Sequence, residues 1–210
     1  MRIAKYNSPQ CLLGCVRMER RGHHPIFLVC DRWSGTVDAG FDVNFLGVKV
    51  RSDFANIEHK GARAVQTEYP VFDNKYFEWI DLLESVEEAE SEFIMIELGA
   101  GYGKWLVRAA LALRQRKPAI NPYLIGVEAE PTHFEWVKLH FSDNGLDPEQ
   151  HLLVKAAVAA EDGSAFFLTG HSREWYGQSL VPDNWPTPPR LRRNLSACYG
   201  SIRKITNLCG

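Results

Sequence analysis

The sequence predicts an α/β chain built on an open, doubly wound parallel sheet. Three observations carry that expectation. From Phe93 onward, strand-like runs alternate with helical patterns: "FIMIEL", a helix from Tyr102 to about Gln115, "YLIGVEAE", a second helix, then "HLLVKAAVA". The first run is continuously apolar, as expected of a parallel strand covered on both faces. A glycine-rich turn, "GAGYG", joins that strand to its helix. Successive strand–helix–strand units of this length imply right-handed crossovers.

The elements before Phe93 are shorter. Residues 25–30, "PIFLVC", and 41–51, "FDVNFLGVKVR", read as strands. In the second, Phe41, Val43 and Phe45 share one face, and the apolar set then moves to the other parity at Leu46, Val48 and Val50. Gly47 sits at the switch, where a bulge or bend is expected. Residues 52–72 read as a loop. Asp73 offers an N-cap to a helix over "NKYFEWIDLLESVEEAE", in which Tyr76, Ile80, Leu83 and Trp79, Leu83, Val86 follow helical spacing.

In the helix after "YLIGVEAE", Thr132 and Glu135 make a T-x-x-E capping box, and Phe134, Val137 and Phe141 make a buried stripe. Asn144-Gly145 supplies a left-handed stop. Asp162-Gly163 reads as a hairpin turn from the third strand into "SAFFLT". Beyond His171 a proline- and aromatic-rich run reads as loop, with "SIRKIT" as one further strand.

A chain of 210 residues is long enough for one domain with its own core. The formal charge of −2 gives no overall attraction to nucleic acid or an anionic membrane. The acid-free basic run from Arg190 to Gly210 reads as a solvated face. The first residues lack the apolar stretch of a signal peptide, no segment approaches membrane-spanning length, and five scattered cysteines fit reduced thiols, so a cytoplasmic location is expected. No metal is expected either. Cys11, Cys15, His23, His24 and Cys30 miss the paired short spacing of zinc motifs, and His133 and His140 miss the i, i+4 chelate.

The chemistry is concentrated at "ELGAGYG", residues 97–103. Glycine is needed where a chain turns sharply and brings its backbone against a ligand. The dinucleotide fingerprint is G-x-G-x-x-G. Here Gly99, Gly101 and Gly103 form G-x-G-x-G, and Lys104 occupies the third-glycine slot. Glu97 directly precedes the turn. A carboxylate there repels a pyrophosphate but is well placed to hold an α-ammonium group. Glu130 ends the second strand, where an acid can accept both ribose hydroxyls of an adenosine, and it stands farther from the turn than the roughly 20 residues of the dinucleotide unit. Ammonium, carboxylate and ribose together describe S-adenosylmethionine. Glu128 competes for the ribose role from two residues deeper in the strand, where a paired or edge carboxylate is the plainer reading.

Three stretches, "FIMIELGAGYGKW", "GVEAEPTHFEWVKLHFSDNG" and "LLVKAAVAAEDGSAFFL", together resemble the FkbM-type methyltransferases, a class I S-adenosylmethionine-dependent family. The likeness runs from about Asp73 to Leu180, with a weaker echo in "FLGVKVRSDF". The Glu130-Pro131 pair, followed by an amphipathic helix and Asn-Gly, is its most telling element. The resemblance implies a Rossmann-like class I methyltransferase sheet and methyl transfer to a hydroxyl of a sugar or natural-product-like small molecule. It places Glu97, Gly99, Ala100, Gly101 and Gly103 around the methionine moiety, Glu130 on the ribose, and Ala156 and Ala157 beside the adenine.

The chain divides accordingly into an N-terminal strand/helix extension (1–72), a cofactor-binding core (73–170) and a C-terminal loop-rich segment (171–210). Family members continue into a strand carrying an "IKIDVEG"-like segment that this sequence lacks. The sheet is therefore expected to be incomplete after the third βα unit. "FIMIEL" then becomes an apolar edge, to be covered by the N-terminal strands, a second copy or a partner. The general base is assigned to His171, with Glu174 nearby and Trp175 and Tyr176 available for stacking. A second reading is a shortened, non-catalytic cofactor-binding module that acts through a partner or oligomer.

Overall fold

The computed structural model of the chain describes residues 22–55, 61–169, 179–181 and 196–204, with side chains as far as Gly163. Its centre is a three-stranded parallel sheet of β5 (Phe93–Leu98), β6 (Pro122–Glu128) and β7 (Leu152–Lys155), in that order. Ile96 pairs with Ile125, and Val127 with Val154, so β6 is the middle strand. The intervening helices are α3 (Lys104–Arg116) and α4 (Pro131–Asp143).

Right-handed crossovers between strands laid down in one direction put both helices on the same face. The burial of β5 records the result. Phe93 lies inward, while Ile94, Ile96 and Leu98 on the other parity are 59%, 43% and 43% exposed. Of the two faces expected to carry helices, only one does so at β5 among the described residues. Among the described residues, β5 is an edge strand whose outer face carries no helix.

Helix α3 buries Leu106, Val107, Ala109, Ala110, Leu111, Ala112 and Leu113, which surround most of its circumference because it is packed between the sheet and α2 (Tyr76–Glu88). A buried leucine stabilises by about 2 kcal/mol. At Gly126 in β6, a Cβ would stand 3.1 Å from Leu106 Cδ1 and 3.1 Å from Leu153 Cδ2, so a glycine lets α3 approach the sheet this closely. Arg114 and Arg116 occupy the last turn of α3, where they favour the helix dipole, and Arg116 grips Glu87 of α2 at 2.6 and 3.1 Å.

The N-terminal region joins this core. Phe27, Phe45, Leu46 and Val48 cluster with Tyr76, Trp79 and Leu83. Several expectations there are corrected. "PIFLVC" is a 3-10 turn over Pro25–Val29, started by Pro25 and capped by the His24 ring. Residues 41–51 form a hairpin of β2 (Phe41–Val43) and β3 (Lys49–Arg51), with Gly47 at φ +81°. Asn44 Oδ1 accepts from the Leu46 and Val48 amides and closes the turn. The stretch expected as loop contains α1 (Ser52–Ala55) and β4 (Arg63–Gln66), which pairs antiparallel with β1 (Ser34–Val37). The N-cap of α2 is Lys75, while Asp73 Oδ1 accepts the Lys75 amide at 2.8 Å.

Asn144 fastens the hairpin to the core. Its side chain accepts from Lys49 N–H at 2.8 Å and donates to Lys49 C=O at 2.9 Å, and Arg51 pairs with Asp143 at 2.6 Å. Gly145 takes φ +70° as the expected stop.

"HLLVKAAVA" is two strands rather than one. It breaks at Ala156, whose N–H turns to Glu128 C=O at 3.1 Å. Beyond the break, β8 (Ala157–Ala159) joins a second sheet of order β10-β9-β11-β8, with β9 at Gly163–Thr169, β10 at Ser179–Val181 and β11 at Ser196–Lys204. The expected pairing of the third strand with "SAFFLT" is corrected: β11 lies between β8 and β9, parallel to β8 and antiparallel to β9. Among the described residues no helix is long and apolar enough to cross a membrane.

Candidate functional site

The candidate residues gather at the carboxyl ends of β5 and β6, where open α/β sheets bind ligands. The glycine turn is held in place by its own backbone. Gly99, Gly101 and Gly103 have φ of +71°, +59° and +69°, the left-handed region that glycine occupies without a Cβ penalty. Gly99 and Ala100 N–H groups donate to Val127 C=O at 2.9 and 3.0 Å, and Gly103 N–H to Ala100 C=O at 2.7 Å. Gly101 N–H donates to Glu128 Oε2 at 2.7 Å. A phosphate cradle needs several free, converging amides. Here four are consumed, so the turn is not built as one.

The glycines are not equivalent. A Cβ on Gly99 would meet nothing within 4 Å, so the outer side of the turn is open to close approach. A Cβ on Gly103 would stand 3.2 Å from both Phe141 Cε2 and Val137 Cγ1, so this glycine lets the turn pack against α4. Ala100 is buried against β6, near Gly126. Of the turn residues expected around a ligand, Gly99 has the open approach, while Ala100 and Gly103 shape the turn from within.

Glu97, the residue before the last of β5, lays its carboxylate across the start of α3. Its Oε2 accepts from Trp105 N–H at 3.2 Å and Leu106 N–H at 3.3 Å, two amides that the helix leaves without internal partners. Burial pushes this carboxyl up to about 7, against the lowering effect of those amides and of the Lys104 and Arg108 charges.

Glu130 is the N-cap of α4, with Pro131 at the first helical position and Oε2 accepting His133 N–H at 2.6 Å. The Thr132/Glu135 capping box is thus corrected: a Glu-Pro start puts the cap two residues earlier. Glu135 pairs instead with Lys138 at 3.2 Å on the surface. Glu128, the competitor for the ribose, has both carboxylate oxygens occupied. Oε2 takes Gly101 N–H, and Oε1 takes Glu130 N–H at 2.8 Å. Both acids are buried, at 6% and 5% exposure.

Ala156 is buried with Val127 at the end of β7, and Ala157 opens β8 beside it. His171, Glu174, Trp175 and Tyr176 lie outside the described residues. His140 is buried, with Nδ1 against Tyr102 C=O at 2.9 Å, and burial lowers it to about 4, so it stays neutral. Among the described residues no group of three histidines, cysteines or acids is placed to share a metal. A cleft of about 610 Å³, lined by Arg114, Tyr123, Asp147 and His151 among others, contains none of these candidate residues.

Over 162 residues, 75% of the chain, the sequence is 31% identical to a protein of Jannaschia sp. (strain CCS1) named "Putative methyltransferase". The similarity supports a methyltransferase relationship. The chain spans 57% of that relative's length. No family model and no solved structure matches the chain. The parallel β5–β6–β7 sheet is compatible with the Rossmann-like fold of such enzymes.

Glu128 is a hydrogen-bonded carboxylate, the plainer of the two roles expected for it, and the geometry adds that it ties the two loops together. Sequence reasoning missed Arg108. Arg108 is one helical turn beyond Lys104, and its position beside Trp105 in "KWLVR" was the available signal.

Proposed function

We propose that the chain forms the S-adenosylmethionine-binding part of a class I methyltransferase of the FkbM type. Its acceptor is the hydroxyl of a sugar or natural-product-like small molecule. The observation that carries the reading is the pair of loops at the carboxyl edge: a glycine turn open at Gly99 and preceded by Glu97, beside a second loop ending in Glu130. The likeness to the Jannaschia protein supports the same reading.

The residues suit this cofactor better than a dinucleotide. The turn has spent its amides internally, and Glu97 makes it unfavourable for pyrophosphate. When bound, the cofactor supplies an electrophilic methyl group. In this reading Gly99 lets the ligand approach the backbone and Glu97 faces its ammonium. Glu130 accepts ribose hydroxyls, because Glu128 has both oxygens engaged. Ala156, with Ala157, borders the adenine. The proton of the attacking hydroxyl passes to an imidazole nitrogen of His171. Methyl transfer is an in-line displacement, so most of the rate comes from alignment.

The test is methyl transfer from labelled S-adenosylmethionine to a broad panel of hydroxyl compounds. Transfer, abolished in His171→Ala, is the expected result. Cofactor binding without transfer to any panel member would favour the second reading, a non-catalytic cofactor-binding module acting through a partner. The exposed edge of β5 is the observation that keeps that reading open.

A further inference from the structure

Helices α2 and α3 pack against each other, and the charges of Lys75 at the start of α2 and of Lys104 and Arg108 in the first two turns of α3 act on one another. Arg108 is held between two indoles, with Cζ 4.2 Å from the Trp79 ring centroid and 4.4 Å from that of Trp105. The two rings meet edge to face at 5.2 Å. Stacking of this kind orients a guanidinium but leaves its N–H groups to find other acceptors. Arg108 Nη1 is buried and has no hydrogen-bond partner. Lys104 Nζ lies 5.3 Å from the Trp105 ring centroid, and the Lys75 charge acts on it.

Among the described residues none of the three cations makes an ion pair within 4 Å. The groups that face them are Glu97, Tyr102, Glu78 and Asp73. Two of these acids are committed elsewhere, Glu97 to the α3 amides and Asp73 to the Lys75 amide. Burial, together with the Arg108 and Lys75 charges, pushes Lys104 down to about 8. Gathering like charges in a half-buried place is costly, and a buried donor without an acceptor adds to the cost. One anion with two or three oxygens would offset the guanidinium and both ammonium charges together.

We propose that Lys75, Lys104 and Arg108 form a binding site for the carboxylate or phosphate group of a small molecule, beside the glycine turn. The site stands on its own geometry. In combination with the methyltransferase reading, the anion belongs either to an acidic acceptor or to the cofactor's own carboxylate.

The experiment is a titration of the full chain with inorganic phosphate at constant ionic strength, read by tryptophan fluorescence, since Trp79 and Trp105 flank Arg108. A saturable change is expected, weakened at least tenfold in Lys104→Gln and unaltered in the remote control Lys138→Gln. Arg108→Lys provides a second variant that keeps the charge while losing the planar fork, and it is expected to weaken binding too. Thermal unfolding of each variant establishes that it is folded. No saturable change beyond that of chloride, or equal affinity in Lys104→Gln, overturns the proposal. Repeating the titration with saturating S-adenosylhomocysteine separates the sources. Unaltered phosphate affinity assigns the site to an acidic acceptor, and competition assigns it to the cofactor carboxylate. Phosphate binding in a protein that does not bind S-adenosylhomocysteine sinks the methyltransferase reading while leaving this site intact.

Discussion

Glu128 and Gly101 are joined across the carboxyl edge of the sheet, the buried carboxylate accepting the glycine N–H at 2.7 Å. The same side chain accepts Glu130 N–H at 2.8 Å. One residue therefore sets the position of both loops that form the candidate site. Glu128→Ala leaves two amides without their acceptor, at about 1–3 kcal/mol each. A loss of about 3 kcal/mol is expected in urea unfolding. Glu128→Gln retains one carbonyl acceptor and is expected to lose roughly half as much.

Two glycines of the turn should separate stability from binding. Gly103→Ala meets both a left-handed backbone and contacts at 3.2 Å, so a loss of about 3 kcal/mol is expected from strain and overpacking combined. Gly99→Ala carries only the backbone cost, about 1–2 kcal/mol. Its new methyl projects into the open side of the turn. Denaturant unfolding should rank Gly103→Ala as the worse for stability, and ligand titration should rank Gly99→Ala as the worse for affinity.

Half-buried Glu97 and buried His140 pull the pH dependence of stability in opposite directions. Glu97 is raised from 4.5 to about 7 when folded. The folded state then holds a proton that the unfolded state has released, so its contribution is full below about pH 4.5 and falls as pH rises to about 7. His140 is lowered from 6.5 to about 4. Its contribution is full above about pH 6.5 and is lost as pH falls towards 4. The two slopes oppose each other between about pH 4.5 and 6.5. In Glu97→Gln only the histidine slope remains. Unfolding free energy of this variant is expected to rise relative to wild type as pH goes from 4.5 to 7. A constant difference across that range contradicts the assignment.

What was legible in the sequence followed local periodicity. The β5–α3–β6–α4–β7 order could be read because its elements are long, regularly apolar and bounded by glycine, proline and Asn-Gly. "PIFLVC" misled because Phe27 and Cys30 are buried while Leu28 is 71% exposed, an i, i+3 pattern rather than alternation. The second sheet was invisible because it pairs Ala157 with Ile202, residues far apart in the chain. At the site, the residue types announced carboxylate chemistry. The division of labour between Glu128 and Glu130 depends on which amides reach which oxygens, and no spacing encodes that.

The apolar outer side of β5 makes a prediction of its own. Ile94 and Ile96 are largely solvent-facing on an edge strand, an arrangement that favours pairing with other chains. The double substitution Ile94→Thr, Ile96→Thr is expected to reduce self-association in sedimentation velocity, with less than about 1 kcal/mol of stability lost because little area was buried. Unchanged association with a large loss of stability contradicts an exposed face.

The central claim is that this carboxyl edge binds S-adenosylmethionine through Glu130. Isothermal titration of S-adenosylhomocysteine into wild type and Glu130→Gln tests it most directly. Glutamine keeps a carbonyl for the His133 amide and so separates capping from ligand contact. Saturable binding to wild type is expected, weakened at least tenfold in a variant whose unfolding midpoint stays close to wild type. No binding to wild type, or equal affinity in the two proteins, contradicts the account.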